Sequence, residues 1–290
     1  MILPWLPPGR TAVLEGRGEF FFRHHQHTDT NAPTVLLLHG WTASADLQFF
    51  SAYEELAAMC SFVAIDHRGH GRSVRFPGRF ELEDAADDAA ALLRHLGLGP
   101  VIVVGYSMGG PVTMHLAHRH PDLVNGVVLQ ATALEWRSTL IERVRWKTVR
   151  MLGPIVRSWV FPSWLRAGLR RMAADQPALL PYVPWLAGEI SRNDAMHLVH
   201  AGQALSRYDA REWAGLVDKP AAVLVTTQDR LVKPRKQRQL AAALNASVRE
   251  LHGDHLAPWM QPTEFAELTA ALVQHVHERC VDLVGARLIE

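Results

Sequence analysis

A serine in a glycine-rich turn is the residue best placed to perform chemistry. Ser107 lies in the segment 105–110 (Gly-Tyr-Ser-Met-Gly-Gly), directly after the apolar, β-branched run 101–104. A strand that turns this sharply into a helix holds the turn residue in strained backbone geometry, and small residues on either side let the chain segments pass. The pattern predicts an exposed nucleophile near a helix N-terminus. The alternative is a serine that only caps the helix.

A nucleophilic serine needs a base within hydrogen-bond distance and a third group that orients the base. Among sixteen histidines, His255 is the best candidate base because it lies on a loop between the last short strand and the last helix. Asp229 follows another strand and is the candidate orienting acid, with a turn aspartate as the alternative. Asp254 is interpreted as a turn residue and Glu135 as the rival acid. The order Ser107, Asp229, His255 is the one expected for a nucleophile elbow.

Two backbone N–H groups are predicted to stabilise the negative charge that develops on oxygen during ester cleavage. Met108 follows the serine, and Trp41 lies in the loop 39–41 after an earlier strand. His39 is interpreted as a structural residue that holds this loop by a side-chain hydrogen bond. The segment 66–73 (Asp-His-Arg-Gly-His-Gly-Arg-Ser) is interpreted as a tight turn, because its spacing fits neither a phosphate loop nor a metal site. No metal and no cofactor are predicted.

Length and composition predict a globular protein. The chain has 290 residues, 48% hydrophobic and 20% charged, and its formal net charge of +1 gives no indication of a nucleic-acid partner. The two cysteines, Cys60 and Cys280, form neither a disulfide framework nor a metal-binding pattern. The apolar start 1–8 is short and lacks a basic leader, and no apolar stretch is long enough to span a bilayer. We therefore expect a cytoplasmic protein.

Strand and helix signals alternate around the chemical residues. A hairpin is predicted over 13–22, and buried strands are predicted at 34–38, 62–66, 101–104, 126–130, 221–225 and 248–251. Helical spacing covers 85–96, 111–120, 234–244 and 265–276. This alternation predicts an α/β fold with a mostly parallel, doubly wound sheet of about eight strands. Reactive groups collect beyond the carboxyl ends of the strands in such sheets.

Residues 134–214 differ in composition from the rest, since tryptophan and proline are frequent, basic residues exceed acidic ones and strand signals are lacking. We expect a helical cap inserted after the sixth strand, with the core formed by 1–133 and 215–290. The candidate pocket residues are Trp136, Met151, Trp159, Trp164 and Trp185. The alternative is that these side chains join the cap to the core. The basic residues could face water or make weak contact with an anionic lipid surface.

Five stretches in this order resemble the α/β-hydrolase superfamily over nearly all of the chain. They are 39–41, 66–73, 105–110, 228–232 and 253–255. The resemblance implies that Ser107 attacks an acyl carbon, that His255 takes its proton and that Asp229 orients the histidine. It also implies an oxyanion hole formed by Trp41 and Met108. Serine at 107 counts against the dehalogenases and epoxide hydrolases of the superfamily, which use aspartate there.

The predicted function is a serine carboxylesterase or lipase-like hydrolase that acts on a small, apolar ester through an acyl-enzyme. A carbon–carbon bond hydrolase of ketonic dienoates is the main alternative, because a basic cap could supply an arginine for such a substrate. Thioesterase, perhydrolase and acyltransferase activities stay open, because specificity lies in the cap and pocket. A triad-bearing ligand-binding protein is the alternative from a different class. The sequence predicts no oligomeric state.

Overall fold

Continuous apolar runs form the central strands of one eight-stranded sheet in the computed structural model, which describes residues 3–149 and 161–287. The strands are β1 Gly9–Leu14, β2 Gly18–His25, β3 Thr34–Leu38, β4 Ser61–Ile65, β5 Val101–Tyr106, β6 Val124–Gln130, β7 Ala221–Thr226 and β8 Ser247–Leu251. Their spatial order is β1-β2-β4-β3-β5-β6-β7-β8. β2 runs antiparallel to both of its neighbours, β1 and β4, and all the other neighbouring strands are parallel. The prediction of a mostly parallel sheet of about eight strands is therefore confirmed.

Helices follow most of the strands, as the alternation predicts. They are α1 Ala45–Phe49, α2 Tyr53–Ala57, α3 Leu82–His95, α4 Gly109–Arg119, α5 Leu140–Val149, α6 Phe161–Asp175, α7 Val183–Ile190, α8 Ala195–Arg207, α9 Pro234–Ala243, α10 Ala257–Met260 and α11 Pro262–Arg287. Helix α3 ends before Gly97, whose φ of +64° favours glycine. Across the described ranges, none of these helices combines the length and the apolar character needed to cross a bilayer.

Both faces of the sheet are buried, which explains why the central strands lack polar alternation. Val35 and Leu37 of β3 pack on the side of α1, α2 and α11, whereas Leu36 and Leu38 pack on the side of α3 and α4. All four side chains are fully buried. Each buried leucine or valine contributes about 1.5–3 kcal/mol through removal of apolar surface from water. The resulting core fixes the strand ends that carry the candidate site.

Helices α5–α8 lie between β6 and β7 in sequence and are called the inserted segment (residues 134–214) below. In its described part this segment contains helices and a single isolated β-bridge, between Glu135 and Asp209. One polar link to the core is the indole N–H of Trp41, which donates to the Leu198 carbonyl of α8 at 2.8 Å. Further links are the ion pairs Arg72–Glu189 and Lys236–Glu142. The helices are therefore fastened to the core at several separate points.

Candidate active site

Ser107 occupies a strained turn between β5 and α4. Its φ is +53°, a conformation that favours glycine and costs other residues energy. A Cβ on Gly105 would overlap the Thr113 hydroxyl, and one on Gly109 would overlap the Leu38 carbonyl oxygen. The glycines of the motif are therefore required by close approach of backbone and side chains. Helix α4 begins at Gly109, two residues earlier than the sequence indicates, with Pro111 tolerated in its first turn.

The serine is buried rather than exposed, with only 4% of its surface accessible. The loop after β3 covers the serine. Gly40 of this loop approaches so closely that a Cβ added to it would lie 3.2 Å from Ser107 Cβ. The backbone of the turn is held as well, since Ser107 N donates to the Gln130 carbonyl at 2.9 Å. The turn is thus fixed between the ends of β3, β5 and β6.

The structure brings Ser107, His255 and Asp229 together. His255 Nε2 lies 2.9 Å from Ser107 Oγ, and His255 Nδ1 lies 2.7 Å from Asp229 Oδ2. The other carboxylate oxygen, Oδ1, accepts the backbone N–H groups of Leu231 and Val232 at 2.8 Å each. Because a carboxylate only accepts, Nδ1 carries the imidazole proton and Nε2 is left to accept from the serine hydroxyl. This arrangement can remove a proton from Ser107.

Two further side chains hold Asp229 and were not predicted from the sequence. The Thr226 hydroxyl donates to Asp229 Oδ2 at 3.0 Å, and Gln237 Nε2 approaches the same oxygen at 3.4 Å. Gln237 is fully buried on α9 and also donates to the Val232 carbonyl at 2.7 Å. A glutamine in the middle of a helix has no local signature of this role. Only the packing of α9 against β7 creates it.

The backbone of His255 is held by Tyr106, the residue before Ser107. The Tyr106 hydroxyl donates to the His255 carbonyl at 3.0 Å. Burial raises the pKa of Tyr106 well above its ordinary value, so the phenol stays protonated and keeps this hydrogen bond. The residue on the amino side of Ser107 therefore helps to set the position of His255.

The loop 39–41 lies beside the serine, where the second oxyanion donor is expected. Among the described residues, the backbone N–H groups of Trp41 and Met108 form no hydrogen bond to another protein group. His39 Nδ1 donates to the Gly40 carbonyl at 2.8 Å, and its Nε2 accepts the His67 backbone N–H at 2.9 Å. Burial lowers the pKa of His39 well below its ordinary value, so the ring stays neutral. These contacts agree with a structural role for His39.

The segment 66–73 forms a tight turn that supports the same loop. Asp66 accepts the backbone N–H groups of Ala45 and Arg72 at 2.8 Å each. Burial raises the pKa of Asp66 to about 7, although these hydrogen bonds oppose the shift. Within the described part of the chain, no group of three or more His, Cys, Asp and Glu side chains has the arrangement of a metal site.

The two rival acids, Glu135 and Asp254, make their contacts with groups other than His255. Glu135 Oε1 pairs with Lys236 Nζ at 2.8 Å. Asp254 Oδ1 accepts the Leu256 backbone N–H at 2.8 Å, as a turn residue does. The contacts of both carboxylates therefore differ from those of Asp229, which alone among the three contacts His255 in the structure.

The candidate pocket tryptophans are found in different surroundings. Trp136 is buried with its ring 6.3 Å from that of Trp146, and the Trp146 indole donates to the Trp136 carbonyl at 2.7 Å. Trp185 packs edge-on against Phe50 at 5.3 Å. The other candidates, Met151, Trp159 and the side chain of Trp164, lie outside the described residues. The contacts of Trp136 and Trp185 join the inserted segment to itself and to the core.

Comparison with known proteins agrees with this architecture. A family model described as the alpha/beta hydrolase fold matches residues 33–262. The crystal structure of the enol-lactonase from Burkholderia xenovorans LB400 is similar over 91% of this chain and 100% of its own, with a TM-score of 0.79. At 23% sequence identity, that likeness shows the fold.

Sequence relatives point to the same family. The chain is 30% identical over 251 residues to the pimeloyl-[acyl-carrier protein] methyl ester esterase of Chromobacterium violaceum, covering 84% of this chain and 94% of the relative. It is 37% identical over 98 residues to the 2-(acetamidomethylene)succinate hydrolase of Mesorhizobium japonicum, covering 34% and 35%. The resemblance inferred from the five motifs is thereby confirmed. The chain belongs to the α/β-hydrolase fold family and is an enzyme of the hydrolase class.

Proposed function

We propose that the protein is a serine hydrolase that cleaves carboxylic esters through an acyl-enzyme intermediate. The observation that carries this proposal is the continuous hydrogen-bonded chain from Ser107 Oγ through His255 to Asp229, with distances of 2.9 and 2.7 Å. The Chromobacterium relative is named as a methyl ester esterase, which supports ester cleavage here.

The proposed acylation uses each of these groups at a stated atom. Ser107 Oγ attacks the ester carbonyl carbon while its proton passes to His255 Nε2. The carbonyl oxygen becomes an oxyanion, which the N–H groups of Trp41 and Met108 stabilise by about 3–4 kcal/mol each. When the tetrahedral intermediate collapses, the imidazolium returns the proton to the leaving alkoxide, and Asp229 keeps the ring oriented throughout.

Deacylation repeats the sequence with water as the nucleophile. His255 Nε2 takes a proton from water, the hydroxide attacks the acyl carbon, and the proton returns to Ser107 Oγ as the carboxylic acid leaves. These steps need only side chains and backbone N–H groups of the chain itself, and water. The buried position of the serine favours a substrate that displaces solvent, consistent with an apolar acyl group.

We further propose that residues 134–214 form a cap over the carboxyl edge of the sheet. The support is the contact of α8 with the loop 39–41, called the oxyanion loop below, where the Trp41 indole donates to the Leu198 carbonyl. A cap that touches the oxyanion loop can couple substrate entry to the position of the donor at Trp41. Trp136 and Trp185, with Met151, Trp159 and Trp164, stay candidates for the acyl pocket.

Weak contact with a lipid surface is part of the proposal because α5 exposes three apolar side chains. Leu140 is 75% exposed, Ile141 71% and Val144 54%, and Arg143 and Lys147 lie beside them on the helix. This combination is typical of helices that rest on anionic membranes. Co-sedimentation with phosphatidylserine vesicles, compared with phosphatidylcholine vesicles, tests it. Equal sedimentation with both would contradict it.

The direct test of the enzymatic proposal is hydrolysis of nitrophenyl esters from acetate to long acyl chains. We expect turnover by the wild-type protein and a loss of at least about 10³-fold in Ser107→Ala. The acyl-chain optimum reports the depth of the pocket. Absence of turnover in a folded wild-type protein would overturn the esterase proposal, and rapid loss of a coloured ketonic dienoate would then assign carbon–carbon bond hydrolysis.

A further inference from the structure

A cavity of about 820 Å³ lies between α5, α8 and the loops at residues 135–138 and 208–211. It is separate from the hydrogen-bonded chain at Ser107, and none of the three residues of that chain lines it. Its walls carry six cationic side chains and two acidic ones. The cationic residues are Arg79, Arg137, Arg143, Lys147, Arg207 and Arg211.

The acidic residues of the wall are neutralised by partners. Glu135 pairs with Lys236 at 2.8 Å, and Asp209 pairs with Arg211 at 2.5 Å. Arg207 pairs with Glu81 outside the wall at 2.5 Å. In the ranges that the structure describes, no acidic side chain forms an ion pair with the four other cations. Positive charge is therefore concentrated in a concave surface, which strengthens the potential felt by an anion.

Two of these cations repel each other in the protein without a bound anion. Arg143 and Lys147 are four residues apart on α5, so their like charges face the same side of the helix and repel. Glu142, the nearest acid in sequence, is directed toward Lys236 of the core instead. An anion bound between Arg143 and Lys147 would relieve this repulsion.

We propose that this cavity binds a small polyanion of the phosphate or polycarboxylate type. A concave site of this size encloses a small molecule, whereas a protein partner would need a broader, flatter surface. The indole of Trp146 forms part of the wall and lies 5.8 Å from that of Trp41, next to the oxyanion loop. The anion can therefore be either a free ligand or the charged remote end of an ester. The possibility that the anion is the charged end of an ester rests on the proposed function.

Calorimetric titration with inorganic pyrophosphate tests the site without any need for catalysis. We expect saturable binding by the wild-type protein and equal binding by Ser107→Ala. The double variant Arg137→Gln/Arg143→Gln should bind at least about tenfold more weakly, because each cation contributes a charge-assisted contact. Arg235→Gln/Arg249→Gln, which removes the same charge from exposed positions outside the cavity, should bind within about twofold of wild type. Absent binding, or equal loss in both double variants, would overturn the proposal.

Paired substrates distinguish the two sources of the anion. If the anion is the end of a substrate, Arg137→Gln/Arg143→Gln should lower kcat/KM for a nitrophenyl ester with a terminal carboxylate. Turnover of the neutral ester of equal length should stay unchanged. If the anion is a free ligand, the variant should treat both esters alike while losing pyrophosphate binding. Failure of all ester turnover would leave the titration result standing, so the site and the esterase proposal fail separately.

Discussion

Lys236 Nζ lies 2.8 Å from Glu142 Oε1 and so joins α9 of the core to α5 of the inserted segment. The same ammonium group lies 2.8 Å from Glu135 Oε1, and the three side chains are between 7% and 12% exposed. Burial by itself would raise the pKa of Glu142, but hydrogen bonds from Lys236 and Thr139 lower it to about 2. The carboxylate is therefore ionised and held by the lysine near neutral pH.

Lys236→Met should destabilise the protein by about 3 kcal/mol, because it leaves two buried carboxylates without their cation. Methionine keeps an unbranched apolar stem, so the loss reports the charge rather than a cavity. Urea unfolding at pH 7 measures the change. Lys233→Met, which removes an exposed lysine at the start of the same helix, should change the free energy of unfolding by less than about 0.5 kcal/mol. Equal effects of the two substitutions would contradict the stabilising role of the ion pairs between Lys236 and the two glutamates.

Asp229→Asn should lower kcat by about 10³–10⁴-fold while the fold is retained. Two backbone N–H groups, from Leu231 and Val232, point at Oδ1 and will hold the amide oxygen there. The amide NH₂ must then face His255 Nδ1, which forces the proton onto Nε2. The imidazole can no longer accept from Ser107 Oγ. Nitrophenyl ester kinetics measure the loss, and a folded variant with nearly full activity would contradict the assigned role of Asp229.

Trp41→Phe should lower kcat by about tenfold, because the loop that carries the proposed second oxyanion N–H loses its hydrogen bond to α8. Trp213→Phe is the matched control, since it also removes one indole hydrogen bond, to the Asp209 carbonyl at 3.1 Å. Both variants should lose about 1 kcal/mol of stability. Only Trp41→Phe should lose activity. Equal kcat values in the two variants would argue against coupling between the inserted segment and the oxyanion loop.

The sequence predicts the features that have a local pattern, and it misses those that depend on tertiary packing. The strand β5, the turn at Ser107 and the loop position of His255 each have a signature within about ten residues of sequence. The contact of Gln237 with Asp229 and the ion pair between Lys236 and Glu142 have no such signature. They join residues that only the packed sheet and helices bring together, and a buried glutamine or lysine looks like an ordinary helix residue in the sequence.

Acidification should destabilise the protein through the buried histidines beside the oxyanion loop. Burial lowers the pKa of His67 to about 3 and that of His70 to about 4, against an ordinary value of 6.5. Between about pH 4 and 6.5 the unfolded chain therefore binds more protons than the folded one, and stability falls as the pH falls. Each histidine contributes at most about 1.4 kcal/mol per pH unit to the slope of the unfolding free energy against pH, the limit for a pH well below its unfolded pKa and well above its folded pKa.

His70→Gln should reduce this slope by about 1 kcal/mol per pH unit between pH 5 and 6, because one of the groups that must charge on unfolding is removed. Urea unfolding between pH 5 and 6 measures the slope for the wild-type protein and the variant. His95→Gln is the control, since His95 is exposed at the end of α3 and should leave the slope unchanged. If the wild-type slope persisted in His70→Gln, the buried imidazole would not be the group that couples stability to pH.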